Sequence, residues 1–283
     1  MKIVNNIVTY ILVILLACAI IGAVFINIAS STILKKQYIL NKLEETNYYA
    51  EIKKEIELSF ENYIGQSGLD EDVIKDIVSL EKIKKDTNTI IQNIYDGTDI
   101  TVDTTEIETN LKNNIESSLE NKKLTITQQK AIDEYIQTIA KQYKETMSHT
   151  KYESNINNMI NKVNKYIEIA NKVAIIGIVV IWLLIILLNF KKQKRALSQI
   201  GISFAASGIF YIILKMYIDS KIKVSNIVVL NEAISNTVRT IGNDILSNII
   251  FEGAILLCFG IFGILLGNFL SYSKKAKERK EQE

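Results

Sequence analysis

The chain has 283 residues, 48% of them hydrophobic, with no proline, two cysteines and a net charge of +2. Near-neutrality gives no support to nucleic-acid binding through bulk charge, and two cysteines rule out a disulfide-stapled framework. Proline normally makes up about 5% of residues. Its absence removes the commonest helix breaker and predicts long, uninterrupted helices.

No charged residue lies between Ile3 and Leu34, Val173 and Phe190, Ala196 and Leu214, or Gly253 and Ser273. Each window can supply the roughly 20 apolar residues that cross a hydrocarbon layer about 30 Å thick. In chain order this predicts a cytoplasmic start over 1–6 and a first span over 7–30. That span has two rival readings. As a cleaved signal peptide its apolar run is too long and lacks a small-x-small cleavage site. Leu15-Leu16-Ala17-Cys18 loosely resembles a lipobox, but the apolar run continues from Ala19 to Ile28, so an uncleaved anchor is the better reading.

Residues 31–171 form a polar stretch with helical periodicity. Tyr49, Ile52, Ile56, Phe60 and Tyr63 make one stripe, ended by a turn at Gly65–Gly68. Asp70 is expected to cap a helix carrying Val73, Ile77 and Leu80 and continuing through Ile83, Ile90, Ile91 and Ile94. Asp96-Gly97 closes it. Ile107, Leu111, Ile115 and Leu119 mark the next helix. Thr127 is expected to cap another, with Ile132, Tyr135, Ile136, Ile139 and Tyr143 on one face. Tyr152, Ile156, Ile160, Val163 and Ile167 then lead into the second span (172–190) without glycine or proline. One helix from about 151 to 190, roughly 60 Å long, would couple the domain mechanically to the membrane.

A basic loop follows over 191–198, then a third span (199–218), a polar connection (219–248), a fourth span (249–270) and a basic tail (271–283). Within the connection Ile227, Leu230, Ile234, Val238, Ile241 and Ile245 follow 3,4 spacing, which predicts an amphipathic helix. Its charge-balanced polar face favours docking on the helical domain over lying on lipid. Residues 31–172 hold 19 Lys/Arg against 24 Asp/Glu, a net of −5, whereas Lys191, Lys192, Lys194 and Arg195, and Lys274 and Lys275 in the tail, have no acid among them. Short Lys/Arg-rich segments stay in the cytoplasm. The topology expected is both termini inside and the helical domain extracytoplasmic, between the first and second spans. The same clusters could also touch anionic lipid.

Lys215 and Glu252 are the charges that intrude on the spans. Both fall near the outer interface, where they could form an ion pair or each snorkel to water. Gly260, Gly263 and Gly267 suit close helix packing, with Gly263-x-x-x-Gly267 at the spacing that lets backbones approach. Packing within the bundle is the plain reading, and pairing into a homo-oligomer the sharper one. Ala205-Ala206-Ser207-Gly208 faintly resembles an intramembrane serine protease motif, but a serine nucleophile needs a base. The one histidine, His149, lies in the polar domain. Asp96, Asp99 and Asp103 surround a glycine, yet the calcium-loop register puts Gln92 and Ile94 at ligand positions. No catalytic set, cofactor site or metal site is expected.

Asn47-Tyr48-Tyr49, Tyr63-Ile64-Gly65-Gln66-Ser67-Gly68-Leu69-Asp70 and Ile94-Tyr95-Asp96-Gly97 resemble four-span membrane proteins with a helical extracytoplasmic domain from Clostridium-like Gram-positive bacteria. That group has no assigned function, so the resemblance implies a cell-membrane location and no activity. The expectation is an all-α, multi-pass cell-membrane protein, non-catalytic, whose external domain binds a protein or envelope partner, with the lipid bilayer as its other partner. The alternative is a subunit of a transport system, since some ABC exporter permeases share the order of one span, an external domain and three spans.

Overall fold

The computed structural model describes residues 2–64, 69–119, 125–148, 153–229 and 231–280. Among them the chain is all-helical: α1 (Lys2–Ser31), α2 (Lys36–Glu45), α3 (Tyr48–Ile64), α4 (Leu80–Asp96), α5 (Thr105–Ser118), α6 (Ile126–Ser148), α7 (Glu153–Leu188), α8 (Gln193–Lys221) and α9 (Glu232–Lys280), with three short 3-10 turns. The chain divides into two compact units. One holds Met1–Leu34, Lys165–Ile227 and Arg239–Glu283, the other Lys35–Asn164 and Val228–Val238.

The second unit is a helical domain built on α2 to α6. α3 buries Tyr48, Tyr49, Ile52, Ile56, Phe60 and Ile64. The stripe therefore ends at Ile64, while Tyr63 turns outward and its hydroxyl donates to Gln142 Oε1 at 3.2 Å. Ile107, Leu111 and Ile115 of α5 and Ile136, Ile139 and Tyr143 of α6 complete the core. Gly97 adopts φ 69° at the end of α4, the left-handed conformation that closes helices and that glycine takes without strain. Leu119 is only partly buried.

Two local expectations in this domain are corrected. The helix expected from Asp70 is a single 3-10 turn over Glu71–Ile74, and α4 starts only at Leu80, where Ser79 Oγ accepts from Lys82 N at 3.0 Å. Between them Asp76 takes φ 55°. The carbonyls of this irregular segment are satisfied from α5. Asn114 Nδ2 donates to Val73 O at 3.0 Å and Lys75 O at 3.1 Å, and Asn110 Nδ2 to Ile77 O at 3.3 Å. With those groups paired, the backbone can bury Val73, Ile77 and Val78 without being helical. The cap of α6 is Thr125, not Thr127: Thr125 N donates to Gln128 Oε1 at 3.0 Å and Gln128 N to Thr125 Oγ1 at 3.3 Å, a reciprocal capping box.

The connection expected to be one amphipathic helix over 219–248 is also different. α8 runs on to Lys221, a 3-10 turn covers Val224–Asn226, and the next helix begins at Glu232 and continues to Lys280. Asn231 Oδ1 caps it by accepting from Ile234 N at 2.9 Å. No proline separates the amphipathic stretch from the apolar one, and the single Gly242 between them costs only about 1 kcal/mol, too little to stop the helix. At 1.5 Å per residue, these 49 residues make a rod of about 74 Å. The segment Val228–Val238 packs on the helical domain as expected. Ala233 lies in its core, Asn231 Nδ2 donates to Glu55 Oε2 at 2.6 Å, and the hydroxyls of Thr237 and Thr46 meet at 2.8 Å.

The first unit is an apolar bundle. Among the described residues four segments are long and apolar enough to cross a membrane, Val4–Ser31, Tyr166–Leu188, Gln193–Asn226 and Glu232–Leu270, and this unit holds all of them but the first turns of the last. Their inner faces bury Val13, Leu16, Ile20, Ile185, Ile200 and Tyr211, while Ile14, Val173, Leu187, Phe259, Phe262 and Phe269 stand exposed. A surface so apolar marks contact with lipid or protein, not water. α7 extends unbroken over 36 residues, as the absence of glycine and proline before Val173 predicts. The loop expected over 191–198 is only a 3-10 turn at Phe190–Lys192, because Gln193 to Leu197 are good helix formers and already belong to α8.

Candidate functional site

The helical domain holds a buried ionic cluster. Lys82 and Asp86, one turn apart on α4, are 4% and 8% exposed at their side chains. Lys82 Nζ donates to Asp86 Oδ1 at 2.8 Å, to Asp86 Oδ2 at 2.6 Å and to the Asp103 carbonyl at 2.7 Å. Tyr143 of α6 donates its hydroxyl to Asp86 Oδ2 at 2.7 Å, and the ammonium lies 5.8 Å from the centre of the tyrosine ring. Burial, then the bond to Asp86, pushes the Tyr143 phenol well above its ordinary range. The donors of Lys82 are thus satisfied, so the cluster ties α4 to α6 and to the 97–104 link. Sequence reasoning missed it because Lys and Asp at i,i+4 look like an ordinary surface pair. The available signal was their stripe: positions 82, 86 and 90 run down one face, and Ile90 is core.

In the bundle, α8 sits between α1 and α9 and meets each differently. Toward α1 it presents hydroxyls every fourth residue. Ser203 Oγ reaches Val13 O at 2.9 Å, with Gln199 O of its own helix at 3.3 Å; Ser207 Oγ shares its hydrogen between Ser203 O at 2.9 Å and Ala17 O at 3.1 Å; and the Tyr211 hydroxyl donates to Ile21 O. The three side chains are fully buried. The offset stays at 190 residues down the ladder, so α1 and α8 run parallel. Arg195 Nη1, donating to Asn6 Oδ1 at 2.9 Å, adds a rung near the start of both helices. Ser207 thus lies buried between the two helices, bonded along α8 and across to α1.

Toward α9 the face of α8 is small. A Cβ on Gly208 would come within 2.5 Å of Leu257 N, and one on Gly201 within 2.7 Å of Gly260 O. Across the seam, a Cβ on Gly260 would strike the Ala205 backbone, one on Gly263 would lie 3.1 Å from Gly201 Cα, and one on Gly267 would lie 2.8 Å from Lys194 O. The glycines predicted for packing are brought together with α8 inside one chain.

Lys215 and Glu252 are not paired. Lys215 Nζ instead donates to Asp219 Oδ2, one turn further along α8 and nearer its polar end. Among the basic residues, Lys192 is exposed and Lys194 half-buried. Lys191, Lys274 and Lys275 lie in helical backbone, and their side chains are outside the described set, as is His149 altogether. Among the described residues no group of three His, Cys, Asp or Glu is arranged to hold a metal ion. Cys18 and Cys258 are free and exposed on the bundle.

No family model matches the chain, and no curated protein or solved structure does either.

Two concave sites among the described residues bear on function. In the helical domain, a groove of about 370 Å³ between α5 and α6 is lined by Thr105, Glu108, Thr109, Lys112, Asp133 and Gln137 over a floor of Ile136. Both signs of charge and several hydroxyl and amide groups face it, and it is open to solvent. In the bundle, a mainly apolar crevice of about 450 Å³ lies beside the basic turn, between Trp182 and Ile186 of α7, the first turns of α8, and Leu270 of α9.

Proposed function

We propose that the chain is a non-catalytic multi-pass protein of the cell membrane whose helical domain lies outside the cytoplasm and binds a polar partner, a protein or an envelope polymer. The α5–α6 groove carries the reading. Its mixed carboxylate, ammonium, hydroxyl and amide lining offers hydrogen bonds to an extended polar chain, whereas an apolar small molecule would gain little there. The ionisable cluster of the same domain is spent internally, since Lys82, Asp86 and Tyr143 bond one another.

The orientation is supported by charge and by the order of the bundle. α1 and α8 are parallel and α9 is antiparallel to α8, so residues before Asn6, the turn at Lys192 and the segment after Gly267 share one end. Three basic or unacidic segments thus act together under the rule that holds Lys/Arg in the cytoplasm. With Cys18 and Cys258 replaced by serine, intact cells carrying Ser117→Cys should be labelled by a membrane-impermeant maleimide, while Lys192→Cys should react only after permeabilisation. The reverse pattern removes the topology. For binding, a photocrosslinker at Gln137 or Lys112 should give a discrete adduct in intact cells, and one at Glu57 on α3 should not. Equal adducts from all three positions would remove the groove as the binding surface.

A further inference from the structure

We infer that the crevice beside the basic turn holds one anionic glycerophospholipid, with an acyl chain against Trp182 and Ile200 and the phosphate at Lys194. This rests on the membrane-spanning part of the proposed function and is independent of the partner of the helical domain. The volume, about 450 Å³, falls within the roughly 300–1,000 Å³ of ordinary ligand clefts. Its walls are side chains of three spanning helices, Trp182 and Ile186, Leu197 and Ile200, and Leu270, so it suits a hydrocarbon chain better than water, which would find few polar partners there. Polar groups enter only from Gln193 and Lys194.

Charge selects the headgroup. The sequence has no Asp or Glu between Glu168 and Asp219, nor between Glu252 and Glu278, so both runs flanking the crevice lack an acid to neutralise Lys194. Arg195 is already held by Asn6. An anionic phosphate supplies the missing countercharge, whereas a zwitterionic choline lipid would bring its own cation to the same lip. Basic recesses between spanning helices are the geometry that captures anionic headgroups. A diffuse surface attraction would draw on Lys192 as strongly as on Lys194. A seated lipid would not, because Lys192 does not line the crevice.

Trp182 lines the crevice and is the only tryptophan in the chain, so its fluorescence reports on occupancy. The full chain is reconstituted in bilayers of phosphatidylcholine doped with either phosphatidylglycerol or phosphatidylcholine brominated on the acyl chains. Quenching should favour brominated phosphatidylglycerol by about fivefold in relative association, the share of one well-placed lysine. Lys194→Gln should abolish the preference and Lys192→Gln should leave it. Equal quenching by the two lipids overturns the site, as does an equal loss of preference in the two variants. Quenching by neither lipid would take away the membrane-spanning reading itself, and the site with it.

Discussion

Replacing Lys82 by methionine should cost the helical domain more than any exposed charge change. The variant leaves the Asp86 carboxylate buried with one remaining donor, the Tyr143 hydroxyl at 2.7 Å, and no cation. Removing one member of a buried pair costs about 3–5 kcal/mol, because the surviving charge is stranded away from water. At 1.36 kcal/mol per tenfold, amide exchange in α4 and α6 should accelerate by roughly 150- to 5,000-fold, read by hydrogen–deuterium exchange on the full chain in nanodiscs. Lys82→Met/Asp86→Asn separates stranded charge from lost packing. The amide still accepts from Tyr143 and carries no charge, so most of the protection should return. About 1 kcal/mol stays lost in both variants, since the Asp103 carbonyl keeps no donor. An acceleration under tenfold in the single variant, or no recovery in the double, would refute the argument.

Two further outcomes follow from the same kind of reasoning. Gly260→Ala should destabilise the bundle by about 1–3 kcal/mol, because the new methyl meets the Ala205 backbone, which cannot swing aside. Gly22→Ala and Gly177→Ala, with nothing within 4 Å of the added carbon, should leave denaturation in mixed micelles, followed by Trp182 fluorescence, within about 0.5 kcal/mol of the parent. Glu55 is pushed above its ordinary value of 4.5 by burial, with the bond from Asn231 opposing. A raised carboxyl binds protons more tightly folded than unfolded, so its contribution falls as pH rises from 4.5 toward the raised folded value, then levels off. Glu55→Gln keeps an acceptor for Asn231 and should flatten that part of the profile in melts followed by circular dichroism. An unchanged slope would count against it.

Much of this architecture is legible in the residues because lipid-crossing helices and helix continuity are one-dimensional properties. The four uncharged windows coincide with the four long apolar helices, and the lack of glycine or proline before Val173 foretells α7. Helix continuity exceeds what the residue pattern suggests at both other junctions. Neither the basic turn nor the 222–247 stretch contains a strong breaker, and the helices run through most of both. The harder failures depend on partners distant in sequence. Val73, Ile77 and Leu80 have the spacing of a helix, but Asn110 and Asn114 pair with the carbonyls between them and leave the segment irregular. Lys215 found Asp219 on its own helix, not Glu252 across the seam, because i,i+4 neighbours meet without any helix having to be placed. The α5–α6 groove left no mark at all, since its Glu, Lys, Asp and Gln read as ordinary solvent-facing positions.

The hydroxyl ladder explains why the least apolar of the four helices occupies the centre of the bundle. Ser203, Ser207 and Tyr211 weaken the case for α8 as a lipid-facing span, yet each hydroxyl lies within bonding reach of a carbonyl of α1 that has a second lone pair to offer, the two serines sharing their hydrogen with a carbonyl one turn back on α8. Bonds of this kind between helices in membranes average about 0.6 kcal/mol and reach about 1.7, so three amount to about 2 kcal/mol. Ser203→Ala/Ser207→Ala/Tyr211→Phe keeps the tyrosine ring, which packs 5.1 Å from Phe25, and removes the donors alone. Mixed-micelle denaturation followed by Trp182 fluorescence should lose about 2 kcal/mol, with the loss spread over the three sites. A loss under about 0.3 kcal/mol would mean that α1 and α8 are held by packing alone. The constant 190-residue offset would then be a consequence of helix shape and not its cause.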